Sequence, residues 1–137
     1  MNGESIKWER PPLGWMKCNT DGSFRQHLTE ATAGWIFRDE NGVYKGSAQA
    51  LGRRVQDALE SELQAILMAI QHCWSLGFKQ VILESDSQKA IDILNNKKLN
   101  FNHYNWIRDI IWWARKFQNI KFKWISRNAN RVADQLA

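Results

Sequence analysis

Four carboxylates stand out for where they fall in the chain: Asp21 in C-N-T-D-G-S, Glu62 in S-E-L-Q-A-I, Asp86 in E-S-D-S-Q and Asp134 in V-A-D-Q-L. Acids brought together can hold hard divalent cations. Each of the four also has an ordinary explanation. Asp21 lies inside a strand pattern, where Asp is depleted, and the neighbouring Gly22 lets a ligand or another backbone come close; the alternative is a bulge or a strand-end turn. Asp86 follows V-I-L-E-S, a run that reads as a strand buried on both faces, and stands at the carboxyl end where open α/β sheets bind ligands. Its alternative is a helix cap, with Ser85 or Asp86 starting the next helix and Gln88 completing a capping box from Ser85.

Glu62 is distinguished by its neighbours. At about 100° per residue, the apolar stripe of its helix centres between Leu59 and Leu63, with Glu60 and Glu62 on opposite flanks. Glu60 shares its flank with Gln64 and Gln71, an ordinary solvated edge. Glu62 sits instead with Ala58, Ala65, Ala69 and Cys73, small residues that let a helix pack close to a sheet. A carboxylate there is partly desolvated, which is costly unless it is paired or bound to a metal. Asp134, beside Val132, Ala133 and Leu136, carries the weakest signal, because a solvated helix face explains it equally.

The elements that must position these acids follow from the pattern. Residues 1–12, with Pro11 and Pro12, read as an extended arm, and residues 13–137 as one domain, the size a single core supports. Strands are expected at Trp15–Phe24, Ala33–Arg38 and Val43–Leu51, the last two joined by Asp39-Glu40-Asn41-Gly42, whose N-G pair signals a hairpin. The period then changes. Leu59, Leu63, Ile66, Leu67, Ile70 and Trp74 recur at helical spacing over Gln56–Leu76, with Gly77 at the stop. A fourth strand at Gln80–Ser85, helices at Ser87–Asn95 and Asn105–Gln118, a fifth strand at Ile120–Ser126 and a last helix over Asn130–Ala137 complete a mixed sheet flanked by helices, an α/β fold.

Composition sets the outer bounds. Hydrophobic residues make up 44% and charged residues 24%, and the net charge of +5 makes a polyanionic partner plausible. No apolar run approaches the roughly 20 residues of a membrane span, so no membrane is expected as a partner. Cys18 and Cys73 fit neither a metal-ligand spacing nor a disulfide framework and read as buried thiols. No targeting signal is readable, which leaves the compartment open.

The four motifs together, in this order and each in its matching element of a βββαβαβα pattern, resemble the ribonuclease H family, in particular its plant reverse-transcriptase-like branch derived from retroelements. The resemblance runs from about Met16 to Ala137. It implies a five-stranded mixed sheet of order 3-2-1-4-5 with strand 2 antiparallel, and an endonuclease that cuts the RNA strand of an RNA/DNA hybrid. It makes Asp21, Glu62, Asp86 and Asp134 the metal ligands and catalytic acids, holding two Mg²⁺ ions, with Mn²⁺ as a substitute. It also points to Gly22, Ser23 and Gln88 as contacts to the hybrid. A binding module that keeps the fold without useful turnover is the alternative function.

Arg108, Trp112 and Arg115 fall at i, i+4 and i+7 on the helix side away from Trp106, Ile110 and Trp113. They read either as a nucleic-acid contact, with an exposed indole between two guanidiniums, or as an amphipathic face with one stray Trp. The family's usual histidine before the last helix is missing: that loop reads S-R-N-A-N-R, which implies either a slower enzyme or one that uses Arg127 or Asn130 instead. The basic helical insertion of some members is also missing, since the loop at Asn95–Asn102 is short. The chain is expected to be a monomer and part of a longer polypeptide.

Overall fold

A computed structural model describes residues 8–25, 30–96 and 101–135. Its elements in chain order are β1 (Met16–Arg25), β2 (Glu30–Arg38), β3 (Tyr44–Leu51), α1 (Ala58–Ser75), β4 (Gln80–Ser85), α2 (Gln88–Leu94), α3 (Tyr104–Ala114), β5 (Asn119–Trp124) and α4 (Arg127–Gln135). The strands form one sheet of order β3-β2-β1-β4-β5, with β2 antiparallel to both neighbours and β1, β4 and β5 parallel. This is the topology that the resemblance implied.

Local chemistry sets the element ends. The Asp39 carboxylate accepts from the Asn41 and Val43 N–H groups, and Gly42 takes φ +75°, which folds β2 back into β3. Asp57 caps α1 by accepting from the Glu60 N–H at 2.7 Å. At the other end Gly77 takes φ +82° and the Phe78 N–H returns to the Cys73 carbonyl, a Schellman-type stop. Leu63, Ile66, Ala69, Ile70 and Cys73 of α1 are fully buried and pack with Cys18 and Phe37 of the sheet. α3 runs beside α1 in the same direction: His103 meets Asp57 at one end, and Phe117, just past α3, meets Trp74 at the other. Among the described residues no helix is long and apolar enough to cross a membrane.

Several boundaries move for physical reasons. β2 begins at Glu30, three residues before the expected Ala33, because Ala31 and Ala33 alternate inward with Thr32 outward; alanine is a weak strand signal even where it is buried. α4 begins at Arg127 rather than Asn130: the Ser126 hydroxyl accepts from the Ala129 N–H, and the asparagines that read as loop lie inside the helix. α3 ends at Ala114, four residues before Gln118, although Phe117 stays buried. The cap of α2 is neither Ser85 nor Asp86. Ser87 accepts from the Ala90 N–H, while the Ser85 hydroxyl accepts from the Ser87 N–H.

Candidate metal centre

β1 and β4 pair in parallel up to Thr20 and Ser85, and the next residue on each strand is an acid, Asp21 and Asp86. The ladder therefore ends by delivering two carboxylates side by side. With Ser87 as cap, the Asp86 carboxylate is released from backbone duty. α1 brings the third acid. Its first turns lie over Gly22, whose N–H donates to Glu62 Oε1 at 2.6 Å. A Cβ at Gly22 would collide with the Ser61 carbonyl and come within 2.9 Å of Glu62 Oε1, so only glycine allows the helix this close.

Asp21, Glu62 and Asp86 each offer a carboxylate oxygen, and these oxygens lie within 4.8 Å of one another. Burial pushes the Glu62 carboxyl up to about 8, helped by the charges of Asp86 and Asp21 and by a hydrogen bond to Asp86, against the lowering effect of the Gly22 N–H. Glu62 is half-buried, as its small neighbours imply, whereas the opposite flank is less solvated than its pattern suggests: Gln64 there is buried, its amide holding the Arg53 backbone between β3 and α1. Asp134 lies in α4, but its side chain is outside the described residues.

A charged neighbour of the trio is Arg127, at the start of α4. Its Nε lies 3.7 Å from Asp86 Oδ2, with the guanidinium largely in solvent. The two described histidines have bonds to other residues. His72 Nδ1 accepts from the Trp35 indole, and His103 Nε2 sits 3.1 Å from Asp57. His27 is outside the described residues.

The remaining candidates separate into two groups. Ser23 is exposed, with its hydroxyl bonded to that of Thr32, and Gln88 is exposed at the first position of α2. A cleft of about 880 Å³ opens from Asp21 and Ser23 across the uncovered face of β2 and β3, past Thr32, Gly34 and Gln49. Arg108, Trp112 and Arg115 are all exposed on α3. The cation against Trp112 is neither arginine: Lys116 Nζ lies 4.0 Å from its ring centre and 5.8 Å from that of Trp74, while Arg108 lies beside Asp109 and Tyr104. Trp74 is twelve residues along α1 from Glu62, about 18 Å at the helical rise, so Trp112 belongs to the far end of the domain from the acids.

A buried polar cluster beneath the trio was missed from sequence. Lys17 and Glu84, both nearly inaccessible, pair at 3.1 Å. Glu84 also accepts from Asn19 Nδ2, which reaches Asn130 of α4. The signal was present: a glutamate inside V-I-L-E-S, a strand read as buried on both faces, requires a buried partner.

The sheet order, the crossover of α1 and the acids at the ends of β1 and β4 define a ribonuclease H-like fold. The chain belongs to the reverse-transcriptase-like family, whose profile it matches over residues 19–137. An Arabidopsis thaliana protein provisionally named a ribonuclease H is 30% identical over 134 residues, covering 96% of this chain and 21% of its own length; the chain spans about a fifth of that relative. Among solved structures, RNase H1 of the archaeon Halobacterium salinarum superposes with TM-score 0.81 at 20% identity, over 90% of this chain and 94% of its own. A compost-derived RNase H1 solved with an RNA/DNA hybrid gives 0.76 at 20% identity, over 88% and 92%.

Proposed function

We propose that the domain is a divalent-metal-dependent endoribonuclease that hydrolyses the RNA strand of RNA/DNA hybrids. The observation that carries this reading is the convergence of Asp21, Glu62 and Asp86 oxygens within 4.8 Å. The donor set fits Mg²⁺ or Mn²⁺: all-oxygen, anionic and without His or Cys. Burial, and then the repulsion of three carboxylates this close, pushes the Glu62 carboxyl up, a cost that a bound cation relieves. Asp21, Glu62 and Asp86, with Asp134 as the fourth, would hold the metal. When bound, a pair of divalent ions supplies charge for the attacking and leaving oxygens of an in-line displacement.

The chain's own residues do the rest. The Gly22 N–H orients Glu62, and the end of the β1–β4 ladder fixes the spacing of Asp21 and Asp86. Asp21 is the exposed member and faces the incoming strand. Gly22, Ser23 and Gln88 contact the hybrid next to the acids, where 2′-hydroxyls and A-like shape rather than base edges are read. Arg108, Trp112 and Arg115, joined by Lys116, form an outer contact for phosphates and a base or sugar face. The domain acts as a monomer.

One observation favours a second reading, a hybrid-binding module without useful turnover. Arg127 leans on Asp86, where a cation would sit. Labelled hybrid, single-stranded RNA, double-stranded RNA and duplex DNA, each incubated with Mg²⁺ or Mn²⁺, separate the two readings. Hybrid-selective cleavage that is lost in Asp86→Asn and Glu62→Gln supports the nuclease. Tight hybrid binding with no cleavage supports the module.

A further inference from the structure

Beneath the acids lies a polar cluster that the proposed chemistry does not use. Asn19 Nδ2 donates to Glu84 Oε1 at 3.0 Å and to Asn130 Oδ1 at 3.2 Å, while Asn19 Oδ1 accepts from the Trp8 indole at 2.9 Å. Asn130 Nδ2 donates to the Thr20 carbonyl at 3.2 Å, and the Thr20 hydroxyl donates to the Glu84 carbonyl at 3.1 Å. Lys17 completes the charge balance, bridging Glu84 Oε2 at 3.1 Å and donating to the Glu9 carbonyl. Trp8, Lys17, Asn19, Glu84 and Asn130 are all at most 9% exposed.

The placement of this cluster gives it a role. Side chains two apart on a strand share a face, so Asn19 stands one step behind Asp21, and Glu84 one step behind Asp86. Asn130 stands one turn before Asp134 in α4. Asn19, Glu84 and Asn130 thus sit on the three elements that carry the acids, β1, β4 and α4, and Asn19 is hydrogen-bonded to the other two as well as to Trp8. Buried networks of this kind fix a single arrangement, because any slip leaves desolvated groups without partners.

We propose that Asn19 is a positioning residue, locking β1, β4 and α4 in the relative placement that lets their acids share a cation, with Trp8 of the N-terminal segment as part of the lock. The proposal rests on the metal site described under Proposed function. Trp8 acts by donating to Asn19 Oδ1, which holds the amide in the orientation that turns its NH2 toward Glu84 and Asn130 and opposes a flip.

The test is Mg²⁺ affinity, measured by calorimetry on folded Asn19→Ala, Asn130→Ala, the double variant and Trp8→Phe, together with amide exchange across α4. Groups bonded directly to metal ligands typically cost about 10–100-fold in affinity when removed, and Asn19 and Asn130 stand one residue further back, which points to the low end of that range. Each alanine variant is expected to fall in that range, the double variant to be no weaker than the weaker single, and α4 amides to exchange faster while β2 and β3 amides do not. Trp8→Phe keeps an aromatic side chain in the same place while losing the N–H donor and part of the indole's volume, a milder change than the alanine variants, so it answers even if those fail to fold; a several-fold weakening is expected. Wild-type Mg²⁺ affinity in every folded variant, or protection lost evenly over the whole sheet, overturns the proposal. If the variants weaken Mg²⁺ binding and the wild-type domain cleaves no hybrid, the positioning role stands and the nuclease reading falls. A nuclease whose folded variants keep wild-type Mg²⁺ affinity does the reverse.

Discussion

The backbone N–H of Gly22 in β1 donates to Glu62 Oε1 of α1 at 2.6 Å across forty residues of sequence. That bond brings the helix carboxylate to the two at the strand ends, and it exists because glycine leaves room for the Ser61 carbonyl. Gly22→Ala is therefore expected to push α1 outward. Overpacking of this kind costs typically about 1–3 kcal/mol. Urea denaturation would register that loss, and metal affinity would fall with it, because Glu62 can no longer reach Asp21 and Asp86.

The upward shift of Glu62 gives the metal-free protein a pH dependence of defined sign. Between the ordinary value of 4.5 and about 8 the folded state keeps a proton that the unfolded state has released. Stability then falls as pH rises through that window. Thermal melts of the metal-free protein from pH 4.5 to 8 should show a declining midpoint, and Glu62→Gln should flatten the decline. Saturating Mg²⁺ should also flatten it, with proton release on binding near pH 7.

Arg127 competes with a cation for Asp86. The ion pair is exposed on the arginine side and is worth at most about 1 kcal/mol. Arg127→Ala should consequently bind Mg²⁺ more tightly, by up to about five-fold on that figure, and the gain should shrink at high salt. Equal affinity in the two proteins at low salt would show that Arg127 does not engage Asp86 in solution.

The Lys17–Glu84 pair makes the opposite case, being almost completely buried. Removing one partner leaves an uncompensated charge, which costs about 3–5 kcal/mol, whereas replacing both by apolar residues of similar volume is often neutral. Lys17→Met alone should lower the urea midpoint sharply, and adding Glu84→Gln, which removes the orphaned charge but keeps an acceptor for Asn19, should recover much of it. Two independent losses that simply add would contradict the coupling.

The order and type of every element were legible in the sequence, because the apolar period changes from two to 3.6 at Gln56 and the turn residues at Asn41-Gly42 and Gly77 mark the stops. Glu62 was legible through its small neighbours Ala65, Ala69 and Cys73, a pattern that records close packing on the sheet. What periodicity could not show was which polar side chains meet beneath the surface. Gln64 reads as solvated from its helical angle, yet the loop at Arg53 folds over it. Asn19, Glu84 and Asn130 are far apart in sequence, and only the parallel β1–β4 register and the docking of α4 bring them together. The Trp112 surface was read correctly as exposed, but the i, i+4 partner Lys116 was passed over in favour of the flanking arginines.

The claim that the three acids form a cation site is tested most directly by anomalous diffraction from crystals of the protein grown or soaked with Mn²⁺. Peaks in contact with the carboxylates of Asp21, Glu62 and Asp86, absent from Asp86→Asn crystals, are the predicted result. A well-ordered Mn²⁺ map with no density at those carboxylates, or with Arg127 still seated on Asp86 at saturating metal, would contradict the account.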